Sequence, residues 1–165
     1  MVGDIAPWVG VAEIRFGDSR KALRDRLGEY RSFRRTPDTP PIDHYMEAGM
    51  MLGFDGADRL DVIECTDRAD PALFGVRLTG RPLADVLAGL DERRVPYVVD
   101  DSGCTLTGLG VALYSPAPDE PDVEVEGVAV FSRAAVSRDE ADSGRAEDGD
   151  TAASPREPPQ ADVLF

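Results

Sequence analysis

What this chain lacks narrows it before any pattern is read. Cysteine is scarce: Cys65 and Cys104 are the only two in 165 residues, too few for a disulfide scaffold. No C-x-x-C spacing suggests zinc or thioredoxin-like chemistry either. His44 is the single histidine, so any Cys-His or Ser-His nucleophile pair has to use it. No run of about 18 apolar residues is present to span a bilayer, and the first ten residues have no basic segment followed by an apolar core. The expectation is a cytoplasmic protein without a membrane span. Positive charge is also short, with 18 Lys and Arg against 32 Asp and Glu for a net charge of −14. Such a balance disfavours nucleic-acid phosphates and anionic lipid as ligands and leaves a basic protein surface as the natural partner.

The length suits one ordinary domain, and the composition shifts after Arg133. Residues 134–165 hold eight carboxylates against three arginines, three prolines and many small residues. A segment of that kind buries too little apolar surface to offset chain entropy, so 134–165 reads as a disordered acidic tail behind a domain over 1–133. Its apolar end, Val163-Leu164-Phe165, has the form of a short motif or of a captured C-terminal carboxylate.

Within the domain a pattern occurs twice, about 62 positions apart. Ile14-Arg15-Phe16 precedes a helix over 20–27, with Asp18 or Ser19 as cap and Gly28 as stop. Val76-Arg77-Leu78 precedes a helix over 82–92, where Leu83, Val86, Leu87 and Leu90 form an apolar stripe behind a tolerated first-turn Pro82. Apolar runs at 49–54 and 110–114 then match at strand length. Asp55-Gly56 predicts a hairpin from the first run into 59–65, and the second returns through a longer loop to a strand over 123–131. Further strands fit 42–45 and 97–100. The expected fold is α+β: two helix-plus-antiparallel-meander repeats, about 11–67 and 73–133, forming one sheet with helices on one face and the other face open.

The stretch Phe16-Gly17-Asp18-Ser19-Arg20, with Leu23 and the closing Gly28, resembles the turn-helix signature of the β-lactamase-inhibitor-protein type of tandem repeat. It is also similar to that of the small outer-membrane-assembly lipoproteins. The second copy departs from the pattern, having Leu78, Thr79, Gly80 and Arg81 there. The resemblance implies a curved sheet surface that grips another protein, without catalysis. It assigns no contact residue, because the matched positions start a helix.

Few residues have the pattern of a reacting site. Asp43, His44 and Glu47 are candidates for a small pocket in which a carboxylate fixes the histidine tautomer, as in an enzyme or ligand carrier. Asp55, Asp58, Asp61 and Glu64 lack the D-x-D-x-D-G order of a calcium loop, and Gly103, Gly108 and Gly110 form no phosphate cradle. No metal or cofactor is therefore expected. Binding surfaces are better represented. Tyr30, Phe33, Arg34 and Arg35 make a basic aromatic patch, with Tyr45 a further aromatic outside the apolar periodicities; aromatics and arginine are enriched at interface hot spots. Asp119, Glu120, Asp122, Glu124 and Glu126 form a negative strip suited to a basic partner. The expected function is a non-catalytic, protein-binding module of inhibitor or immunity type, the alternative being a small enzyme or carrier with a pocket near His44. Nucleic-acid mimicry and self-association through the sheet are further readings.

Overall fold

The computed structural model describes residues 3–120 and 122–147. In chain order the elements are β1 (Gly3–Ala6), β2 (Gly10–Val11), β3 (Ile14–Arg15), α1 (Arg20–Leu27), β4 (Arg31–Phe33), β5 (Ile42–Tyr45), β6 (Met50–Phe54) and β7 (Leu60–Thr66). There follow β8 (Pro71–Leu73), β9 (Val76–Arg77), α2 (Leu83–Glu92), β10 (Val98–Asp100), β11 (Gly103–Leu106), β12 (Val111–Tyr114), β13 (Gly127–Phe131) and α3 (Arg133–Glu147).

Local signals explain both early helices. At α1 the Ser19 hydroxyl accepts a hydrogen bond from the Ala22 amide at 3.1 Å, satisfying one orphan donor of the first turn. The helix stops at Gly28, whose φ of 83° is open to glycine at little cost. In α2 the stripe Leu83, Val86 and Leu90 is fully buried, each side chain contributing about 1.5–3 kcal/mol of apolar transfer. Gly89 lets the helix approach β9 closely, since a Cβ there would stand 3.1 Å from Val76 Cγ1.

The larger sheet has eight strands in the order β10-β11-β12-β13-β7-β6-β5-β4, antiparallel throughout. At its centre β7 and β13 pair, Ile63 opposite Val130 and Cys65 opposite Val128. The meander that follows α1 occupies one half and the meander that follows α2 the other. Alternate residues Leu52, Ile63, Val128, Val130 and Leu113 join Leu23, Leu83, Val86 and Leu90 in one core, so α1 and α2 cover the same face. No helix among the described residues is long and apolar enough to cross a membrane.

Two expectations need correction. The strands form two sheets, not one: a second, five-stranded sheet runs β3-β2-β1-β8-β9. The short strands that lead into each helix pair with β2 and β8 instead of joining the meanders, and β1 links the halves by pairing in parallel with β8. Residues 133–147 are also helical where an acidic tail without regular structure was expected from 134. The Ser132 hydroxyl caps α3 by accepting from the Ala135 amide at 3.1 Å, and Arg138 pairs with Asp61 of β7. Residues 148–165, including Val163-Leu164-Phe165, lie outside the described residues.

Candidate functional site

Strand alternation places Ile42, His44, Gly53, Val62, Glu64, Ala112, Ala129 and Phe131 on the sheet face away from α1 and α2. Most of these are half-buried. A groove of about 1290 Å³ runs over this face, with α3 residues from Ala135 to Glu140 along one side and Trp8 with the 107–110 turn at one end.

Three contacts shape the groove. Arg35, just past β4, pairs with Glu64 of β7 at 2.5 Å, although β5 and β6 stand between those strands in the sheet. Asp61, nearly buried beside the register shift between β6 and β7, holds Arg138 of α3. Trp8 donates its indole N–H to the Gly108 carbonyl at 3.1 Å, and the Arg133 guanidinium lies 4.5 Å from the centre of its ring. Gly110 permits this seat, because a Cβ there would stand 2.7 Å from Trp8 Cζ3.

The opposite face of β5 carries different chemistry. Asp43 is fully buried and accepts from Arg20 Nη1 at 3.0 Å, Arg24 Nε at 2.8 Å and Nη2 at 2.9 Å, and Ser32 Oγ at 2.8 Å. Burial alone would raise this carboxyl, but the hydrogen bonds from Arg24 and Ser32 and the charge of Arg20 outweigh it and hold it below the ordinary carboxylate range. The hydrogen bond to Asp43 in turn raises Arg24 above its ordinary value. Arg20 also donates to the Pro41 carbonyl at 2.9 Å and lies 4.1 Å over the Phe54 ring. A carboxylate with four donors has no lone pair to spare for a substrate proton, so this cluster fastens α1 to β5.

The sequence-derived sites separate in three dimensions. Asp43 and His44 are strand neighbours on opposite faces, Asp43 facing the core and His44 lying opposite Met51 on the open face. Asp43 therefore cannot fix the His44 tautomer, and Glu47 sits in the exposed turn after β5. Tyr45 is not a surface aromatic: it is 1% exposed, because it shares the core face with Asp43. Burial first, then the charge of Asp43, push its hydroxyl up to about 12. Tyr30 packs 5.7 Å from Tyr45 under the Arg24 guanidinium, while Phe33 lies opposite Ile42 on β4. Arg34 donates to the Thr39 carbonyl at 2.7 Å within its own loop. Of that patch, Arg35 alone lines the groove.

The acidic strip is held at the start of α2. Val125 donates to the Arg81 carbonyl at 2.9 Å and Val123 accepts from the Leu83 amide at 3.0 Å, leaving Asp119, Glu120, Asp122, Glu124 and Glu126 exposed and outside the groove lining. No group of three His, Cys, Asp or Glu among the described residues is placed to hold a metal ion. Burial pushes the Cys65 thiol up to about 12 and the Cys104 thiol up to about 11, which suits buried structural thiols rather than nucleophiles.

Local sequence patterns do not foretell the contacts that Arg20, Trp8, Asp61, Glu64 and Arg138 make, although Asp61 and Glu64 stand among the carboxylates weighed as metal ligands. For Arg20 a signal existed: it falls with Leu23 and Leu27 at i, i+3, i+7, on the apolar stripe where α2 has Leu83. The other four act through partners far away in sequence and leave no local pattern. Comparisons with protein-family models, with curated proteins and with solved structures give no match for this chain.

Proposed function

We propose that this protein is a non-catalytic binding module that grips another protein across the open face of its eight-stranded sheet. The groove carries the reading. At about 1290 Å³ it exceeds the roughly 300–1,000 Å³ of usual small-molecule sites, and it combines apolar Ile42, Val62 and Phe131 with the Arg35–Glu64 and Arg138–Asp61 pairs. The net charge of −14 favours a basic partner, attracted over long range. An inhibitor or immunity-type protein that covers a basic site fits both observations. The acidic strip at 119–126 adds to the attracting field rather than to the groove. Two unpaired, buried thiols suit a reducing compartment such as the cytoplasm.

The segments α1 to β7 and α2 to β13 each run helix then four-stranded meander, which supports reading them as two copies of one unit. In that alignment Arg20 and Asp43 of the first copy correspond to Leu83 and Cys104 of the second. This arrangement also favours the resemblance to the β-lactamase-inhibitor-protein type, whose sheets grip a partner.

The test is capture from host lysate with the full chain as bait, at about 50 and about 300 mM salt, a range over which surface attraction fades. A basic protein retained at low salt, released at high salt and lost on Ala112→Arg in the open face is the expected result. Retention indifferent to Ala112→Arg, or an empty bait, overturns the reading.

A further inference from the structure

The eight-stranded sheet ends in β4 on one side and β10 on the other, and the two edges are finished differently. Charged Arg31 lies within β4, and Arg34, Arg35 and Pro37 follow it, the kind of residues that discourage an edge from pairing with another chain. By contrast β10 presents Val98 and Val99, 59% and 44% exposed. Among the described residues its one strand neighbour is β11. An exposed β-branched edge of this kind is a ready template for a further strand.

Charges flank this edge in a particular order. Arg94 precedes it and Asp101 follows it, both exposed, and neither side chain has an ion-pair or hydrogen-bond partner among the described residues. Arg94 has φ 57°, in the left-handed region two residues past the end of α2. A non-glycine residue is disfavoured there, so the position keeps a cation at a conformational cost.

A segment that is basic, then apolar, then acidic complements itself when reversed. In an antiparallel pair related by a two-fold axis, Arg94 of each copy approaches the Asp100–Asp101 end of the other, while Val98 and Val99 cover their counterparts. We propose that β10 is a self-pairing edge through which two copies of this chain join their eight-stranded sheets into one. Because the axis stands perpendicular to the sheet, both open faces lie on the same side of the dimer. Pro96, which has no N–H to donate, ends the pairing. The contact is therefore short, and association falls on the order of 10–100 μM rather than in the nanomolar range.

Sedimentation velocity of the full chain across that concentration range tests this, with circular dichroism confirming that each variant is folded. The wild type is expected to pass from monomer to dimer. Val98→Lys, at an exposed position, is expected to stay monomeric. Arg94→Asp should weaken the dimer about tenfold, through two like-charge contacts of exposed strength, and Arg94→Asp with Asp101→Arg should recover it. A wild type that stays monomeric throughout overturns the proposal. So does a dimer that survives Val98→Lys, or one that the charge exchange leaves unmoved.

Discussion

Arg20 and Asp43 form an ion pair at 3.0 Å with both side chains buried, 8% and 0% exposed, and this pair joins the first turn of α1 to β5. Removing one partner leaves the other charge buried and uncompensated, a cost of about 3–5 kcal/mol. Asp43→Asn is therefore expected to lower the unfolding free energy by about 3 kcal/mol in urea titration. The double change Arg20→Leu with Asp43→Cys, which copies Leu83 and Cys104, should restore most of that loss, because an apolar replacement of a buried pair is often neutral. A double variant as unstable as Asp43→Asn would show that Arg24 needs the carboxylate as much as Arg20 does.

Acid stability follows from the same group. Asp43 titrates below its ordinary value of 3.8 in the folded state, so its contribution is fully present above that value and is lost as pH falls through the folded one. Asp55, Asp70 and Asp100 are lowered too, mainly by hydrogen bonds from the Arg59 backbone, the Arg77 side chain and the Ser102 hydroxyl. The urea midpoint should hold nearly level down to about pH 5 and drop below about pH 4, with a shallower drop in Asp43→Asn.

Phe74 sits at φ 50° beside Gly75 at φ 81° in the turn between β8 and β9, and its ring is 54% exposed. Two positive φ angles in a two-residue hairpin turn favour Asn-Gly. Phe74→Asn is expected to raise stability by about 1 kcal/mol, or roughly 2–4 °C in a calorimetric melt. An unchanged or lower melting temperature would mean that the ring packs more than its exposure suggests.

Gly110 has φ 65°, and a Cβ there would also stand 2.9 Å from the Phe131 carbonyl oxygen. Gly110→Ala should therefore displace the only tryptophan, Trp8, shift its emission to the red and destabilise the fold by about 2 kcal/mol or more. Unaltered emission would place the indole elsewhere in solution.

Chain-local physics made part of this architecture legible. The Ser19 cap, the stop at Gly28 and the stripe Leu83, Val86, Leu90 are decided within one helix, and the Asp55-Gly56 turn within one hairpin. Strands of two to four residues such as β1, β2 and β8 are too short to show a period, and their pairing is chosen by distant neighbours. Tyr45 reads as a binding aromatic because it lies outside the apolar periodicities, yet alternation around His44 turns it inward. The groove needed Arg35 to meet Glu64 and Arg138 to meet Asp61, which no local spacing encodes. For α3 the polar composition suggested a tail, and the deciding contacts are one serine cap and one long-range ion pair.

In the parallel ladder of the small sheet, Gly3 stands opposite Pro71 and Asp4 opposite Ala72. Until positions 71–73 have been synthesised and folded back, β1 has β2 as its sole neighbour. Closing the small sheet is thus a late, non-local step, because the entropy of the intervening loop has to be lost before the ladder compensates it. A chain released before β8 is made would leave one side of β1 open, so the small sheet closes only once residues 71–73 have left the ribosome.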